Sequence, residues 1–153
     1  METSTTSADR MEQIKIATTL QAGPNWQTIA TARDHTIRMD GRKEWGGDNA
    51  GPTPPECLAI GLGGCVMNIS RIIARERQIS WDDIKITVSG DIDPSRAFGM
   101  DTENRAGFMQ LSVRVELSPE LSDRKRQEFC RELNERCPLC DTIGNRTPLQ
   151  IIL

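Results

Sequence analysis

A single domain of antiparallel strands and helices is predicted from three features of the sequence. β-branched residues recur before residue 40, a long small-residue apolar segment follows a strong helix start at Thr53, and two alternating segments between 83 and 117 precede an amphipathic stretch. The chain has 153 residues, 37% hydrophobic and 27% charged, enough to bury one core and too few for a second full domain. Net charge is -3 with both signs interspersed, so no broad basic field exists to bind nucleic acid. Aromatics make up 4%, which leaves no stacking platform for bases.

No run reaches the roughly 20 apolar residues of a membrane span, and METSTTSADRMEQ lacks the apolar stretch of a secretory signal. A cytoplasmic location is expected, with no membrane partner. There, ordinary thiols stay reduced, so the five cysteines serve packing, metal or redox chemistry rather than a disulfide framework.

Residues 1–12 are rich in Ser, Thr and charge and read as a disordered tail, leaving 13–153 as the domain. From Gln13 to Leu20, Ile14 and Ile16 share one face, and β-branched residues continue through Ile37. This predicts a meander of two or three strands, turning at Gly23-Pro24-Asn25 and near Arg33-Asp34-His35. Residues 40–53 carry four glycines and no hydrophobic period, which marks a loop long enough to be functional.

Thr53 as N-cap, Pro54 at the first helical position and Glu56 completing a capping box predict a helix to about Gln78. Its inner part, CLAIGLGGCVMNISRIIA, is apolar or small almost all round, as in a buried helix. Gly61, Gly63 and Gly64 each cost up to about 1 kcal/mol relative to Ala, so close approach of another backbone is expected beside Cys65. Ile84, Ile86 and Val88, then Met109, Leu111, Val113, Val115 and Leu117, alternate with polar neighbours and predict a hairpin across a polar connection.

A helix beginning at Ser118-Pro119-Glu120 is expected to turn Leu121, Phe129 and Leu133 inward and to end before Pro138. Cys137 and Pro138 fit the N-cap and first position of a short helix ending near Gly144-Asn145. TPLQIIL reads as a closing strand.

Cys65, mid-helix among small apolar neighbours, is either a packing residue or a thiol that needs a positive group nearby to react. Cys137 at a helix N-terminus favours thiolate. Cys137-Pro138-Leu139-Cys140 resembles the redox tetrad of glutaredoxins, although that motif follows the first strand whereas this one lies near the C-terminus. A zinc site would need a second tight ligand pair, and Cys57 and Cys65, eight positions apart on one helix, do not make one. No metal or cofactor is therefore expected. Cys57 and Cys130 read as core or half-buried residues, and His35, the only histidine, as a surface residue. The Gly46-Gly47 and Gly61-x-Gly63-Gly64 clusters lack the spacing of phosphate loops.

The run Gly46-Gly47-Asp48-x-x-Gly51-Pro52-x-Pro54-x-Glu56, then Gly63-Gly64-Cys65, with Cys137-Pro138 before a short helix, resembles the OsmC/Ohr family over residues 13 to the end. The resemblance implies an α+β fold, an intertwined homodimer with antiparallel sheets around two central buried helices. It also implies a thiol-dependent peroxidase, in which Cys65 attacks an organic hydroperoxide and Cys137 resolves the sulfenic acid. External thiols or lipoyl groups then reduce the disulfide.

In the peroxidase branch a glutamate directly follows the helix-opening proline and an arginine from the N-terminal strands activates the thiolate. Here Pro55 takes the glutamate's place, with Glu56 one residue later, and Arg33 is preferred over Arg38 as the activating cation. Cys140 is an additional thiol. The layout is closer to the OsmC-like branch, and a second function on the same scaffold is redox sensing or apolar-ligand binding without turnover.

Overall fold

The computed structural model describes residues 11–80, 83–118 and 120–153, so 1–10 of the expected tail, Trp81, Asp82 and Pro119 lie outside the described residues. The chain divides into two compact units, Met1–Pro54 and Pro55–Leu153.

The N-terminal unit is an antiparallel meander of β1 (Thr19–Ala22), β2 (Thr28–Ala32) and β3 (His35–Met39) in sequential order. Gly23-Pro24-Asn25 makes the first turn: the Gly23 N–H donates to Gln27 O at 2.8 Å, and Asn25 takes a φ of 52°. Between β2 and β3 only Arg33 and Asp34 intervene, because Ala32 pairs with His35. Arg33 carries φ 53°, a positive φ at the first central position as in type II′ hairpin turns.

The strand expected from Gln13 is corrected, since β1 begins only at Thr19 and Ile14 and Ile16 are exposed. Alternation marks a strand face only where a neighbouring strand supplies hydrogen bonds, and residues 13–18 find none among the described residues.

The loop at 40–53 contains a short 3-10 turn, Lys43–Trp45, and is organised by one carboxylate. Asp40 is 1% exposed. Its Oδ1 accepts from the Gly41 N–H at 2.7 Å and its Oδ2 from Ala50 at 2.9 Å and Asp48 at 3.1 Å. The chain then doubles back so tightly that a Cβ on Gly47 would lie 2.1 Å from Gly41 O. No side chain larger than hydrogen fits there.

In the C-terminal unit, α1 (Pro54–Glu76) packs one stripe, Leu62, Val66, Ser70, Ile73 and Ala74, inward. Spacings of three and four keep these residues on one helix face. They meet Phe129 and Leu133 of α2 (Asp123–Arg136), and Ile86, Val88, Leu111, Val113 and Val115 from the hairpin of β4 (Asp83–Asp91) and β5 (Gln110–Ser118). The hairpin is in strict register, Ile86 opposite Val115 and Val88 opposite Val113, so every apolar strand residue points to the core.

Two expectations for α1 are met only in part within the single chain. By length and composition it is apolar enough to cross a membrane, and only 28% of its most apolar stretch is buried inside the chain. Within the single chain it buries one stripe, with Leu58, Ile60 and Ile72 exposed. Nor does a backbone approach its glycines. A Cβ on Gly63 would meet Val88 Cγ2 at 3.2 Å, one on Gly61 would meet Leu139 Cδ1 at 3.6 Å, and one on Gly64 would meet nothing within 4 Å.

The α1 helix ends in a Schellman motif: Ile79 N–H donates to Ala74 O at 2.9 Å and Gln78 N–H to Arg75 O at 3.3 Å, with Gln78 at φ 53°. The connection 92–109 closes on itself. Asp93 accepts from Ser95 N–H, Thr102 Oγ1 and Asn104 Nδ2, while the Arg96 guanidinium donates to the Thr102 and Asn104 carbonyls.

The start predicted for α2 is also corrected. Ser122 is its N-cap, because Leu121 first turns into the core. The predicted closing strand over TPLQIIL is absent, and Leu149, Ile151, Ile152 and Leu153 are exposed without strand pairing among the described residues. Cys130 is exposed rather than half-buried, because it lies one residue off the Phe129–Leu133 stripe.

Candidate functional site

The short helix α3 (Pro138–Gly144) begins where the sequence places it, with Cys137 as N-cap and Pro138 in the first turn. Proline has no N–H to lose there, so the first free amides belong to Leu139 and Cys140. The Cys140 N–H donates to Cys137 Sγ at 3.4 Å. The α2–α3 junction is held by Arg136, whose guanidinium forks onto Glu76 at 2.5 and 2.9 Å and also reaches Glu132 at 2.7 Å. Arg77 of the α1 C-terminal turn bonds Glu132 in return.

This junction brings two distant thiols together. Cys65 on α1 and Cys137, separated by 72 positions, have their sulfurs 3.4 Å apart, within S–H···S hydrogen-bond range. Cys137 is fully buried and Cys65 half-buried. A disulfide needs about 2.05 Å between sulfurs, so a side-chain adjustment of little more than 1 Å joins them.

The two thiols are electrostatically unlike. Burial pushes the Cys65 thiol up; the Leu139 backbone amide opposes this, and the bond to Cys137 and its charge add to it. Burial also pushes Cys137 up, yet the Cys140 N–H and thiol, the Cys65 thiol and the Leu139 amide outweigh it and leave Cys137 below the ordinary thiol value. Within the chain, the charge therefore belongs on Cys137. Cys140 is pushed up to about 12, by burial first and then by its bond to Cys137 and the charges on Cys137 and Cys65.

Cys140 and Cys130 border a cleft of about 220 Å³, lined also by Val66, Val113, Val115, Leu133 and Asn134. A larger hollow of about 370 Å³, between β5 and the approach to α2, is lined by Arg114, Glu116, Glu120 and Arg126 and holds no thiol.

Within the C-terminal unit, Glu56 stands apart from this pair. Glu56 is half-buried in the first turn of α1. Nine positions separate it from Cys65, about 13.5 Å along the axis and about 180° around it. It raises the neighbouring Cys57 thiol, after burial, rather than acting on Cys65. Arg33 and Arg38 are exposed in the N-terminal unit, one in the β2–β3 turn and one in β3. His35 is exposed, and no cluster suited to a metal ion occurs among the described residues. Sequence reasoning missed Asp40, whose only signal was an aspartate opening a glycine-rich loop.

An antiparallel α+β chain that clamps one helix thiol against another at a helix cap is a paired-thiol protein. The sequence profile of the OsmC-like protein family matches residues 46–152, and the chain belongs to that family. The match begins after the β2–β3 turn that carries Arg33.

Solved structures share the fold. An OsmC-like protein from Mycoplasma pneumoniae superposes with TM-score 0.73 at 21% identity, covering 87% of this chain and 89% of that one. An organic hydroperoxide resistance protein OsmC from Legionella pneumophila gives 0.63 at 18% identity over 87% and 91%. The organic hydroperoxide resistance protein OhrB of Bacillus subtilis gives 0.54 at 22% identity over 83% and 88%. No curated protein sequence matches the chain.

Proposed function

We propose that the protein is a thiol-dependent peroxidase that reduces organic hydroperoxides in the cytoplasm and works as an intertwined homodimer. The observation that carries this reading is the 3.4 Å separation of the Cys65 and Cys137 sulfurs. In the reaction, the Cys65 thiolate attacks the terminal peroxide oxygen. The O–O bond breaks, the alcohol leaves with a proton, and Cys65 becomes a sulfenic acid. Cys137 then displaces hydroxide, which departs as water, and a Cys65–Cys137 disulfide remains. An external thiol or lipoyl dithiol returns both residues to the reduced state.

Because burial pushes the Cys65 thiol up, attack requires a cation beside it, and Arg33 is assigned that role with Arg38 the other candidate. Glu56, on the far side of α1 from Cys65, is either a catalytic carboxylate or the cap of its own helix. The exposed apolar residues of α1 and of the C-terminal stretch are the surfaces the second copy covers. Relatives named as organic hydroperoxide resistance proteins and the apolar cleft bordered by Cys140 support an organic rather than an inorganic peroxide.

The direction of the thiol shifts favours a second reading, with Cys137 as the attacking thiolate and Cys65 as resolver. Uptake of cumene hydroperoxide by single variants separates the two. With Cys65 as nucleophile, C137S consumes one equivalent and accumulates sulfenic acid, while C65S consumes none; the reversed result assigns the attack to Cys137. Negligible steady-state turnover of the wild type with a dithiol reductant would instead leave redox sensing or apolar-ligand binding as the function.

A further inference from the structure

The peroxidase reading leaves one thiol of the cluster idle. Cys140 is the third residue of α3, and Cys137 is that helix's N-cap, the two positions of a Cys-x-x-Cys dithiol. The Cys140 amide nitrogen lies 3.4 Å from Cys137 Sγ, the Cys140 thiol bonds the same sulfur, and Cys137 Sγ lies 3.4 Å from Cys65 Sγ. Cys137 is therefore the middle member of three thiols. On the other side Cys140 forms part of the wall of the cleft with Val66, Val113, Val115 and Leu133.

We propose that Cys140 is a second resolving thiol, which takes over the Cys65–Cys137 disulfide and stores it as Cys137–Cys140 for the external reductant. The inference rests on the peroxidase reading. In the hand-over, the Cys140 thiolate attacks the Cys137 sulfur, the Cys137–Cys140 bond forms and the Cys65–Cys137 bond breaks. Cys65 leaves as thiolate and takes up the proton that Cys140 lost. One disulfide replaces another, so the hand-over itself needs no oxidant.

Electrostatics time this step. Burial, the first cause of the raised Cys140 thiol, persists throughout. The remaining causes, the bond to Cys137 and the charges on Cys137 and Cys65, vanish once those two sulfurs are joined. Cys140 is thus held protonated while the pair is reduced and eased toward thiolate when it is oxidised. The product also suits the reductant. The Cys137 sulfur is fully enclosed, whereas attack at Cys140 comes from the open cleft and expels Cys137, the thiolate the site stabilises best. A lower thiol pKa makes a faster leaving group.

The test is a quenched-flow peptide map of the full chain, reduced, desalted and treated with cumene hydroperoxide without added reductant. In the wild type a Cys65–Cys137 linkage is expected first and a Cys137–Cys140 linkage later, with Cys65 again open to alkylation. Because Cys65 is regenerated, the wild type takes up about twice the peroxide that C140S does. A wild type that stops at Cys65–Cys137 with the same uptake as C140S, or that forms Cys65–Cys140, overturns the proposal.

Oxidised glutathione acting on C65A gives an independent arm. A Cys137–Cys140 disulfide is expected, and its absence overturns the relay while leaving the peroxidase reading standing. No peroxide uptake by the wild type, with that disulfide still formed in C65A, overturns the peroxidase reading together with the hand-over.

Discussion

Arg136 grips Glu76 through both arms of its guanidinium, Nη1 to Oε2 at 2.5 Å and Nη2 to Oε1 at 2.9 Å, across 60 positions of chain. The pair fastens the end of α2 to the end of α1 one residue before Cys137. Its consequence is positional, because partly exposed ion pairs add little to stability. R136Q is expected to slow Cys65–Cys137 disulfide formation on the order of tenfold, since small misplacements of reacting atoms cost that much. Stopped-flow thiol oxidation measures it.

The same pair has a pH signature. The bond to Arg136 holds the Glu76 carboxyl below its ordinary value of 4.5, against a smaller upward push from burial. A depressed acid contributes stability above its unfolded value and loses it as pH falls through the folded one. The contribution of the pair to stability, read as the urea midpoint of the wild type minus that of R136Q, should therefore be flat from neutral pH to about 4.5 and be lost below it.

Thiolate titration follows the contrast between Cys137 and its neighbours. Ultraviolet thiolate difference spectra of wild type against C137S should show Cys137 ionising below the ordinary thiol value of 9.0. C65A should ionise higher, because one donor to the sulfur is lost. The linked stability of Cys137 is present above 9.0 and declines as pH falls through its folded value. Cys140, raised to about 12, contributes with the opposite sign, below 9.0 and lost as pH rises toward 12.

Gln78 holds a left-handed φ of 53° at the Schellman position that glycine occupies without steric cost. Q78G is expected to stabilise the protein by about 0.5–1 kcal/mol, read as a raised denaturation midpoint.

Ser70 is fully buried on α1 and its hydroxyl finds no hydrogen-bond partner among the described residues. S70A removes that polar group and improves helix propensity, so a gain of about 1 kcal/mol is expected. Chemical denaturation checks it.

What the sequence disclosed was whatever local chemistry decides. Pro54 and Pro138 each open a helix because a residue without an N–H fits there. Ile84 to Val88 and Leu111 to Leu117 alternate because one hairpin face meets the core. The pairing of Cys65 with Cys137 was legible only through the family resemblance, since 72 positions separate them and no local rule spans that distance.

The misreadings share one cause, dependence on partners. Ile14, Ile16 and Leu149 to Leu153 look like strands but find no neighbouring strand among the described residues, and α1 looks apolar all round but buries one stripe within the single chain. The start of α2 yielded to tertiary packing, because Leu121 reached the core before the helix began. Asp40 escaped notice because its value lies in amides eight and ten residues ahead.

The connection between β4 and β5 settles its hydrogen bonds through its own residues, Asp93 and Arg96 above all, and Gly99 sits at its tip with φ 71° and empty space around it. Such a bight can lengthen without disturbing the ladder below it. A short reporter peptide grafted at Gly99 would follow the protein in living cells while the hairpin beneath kept its register.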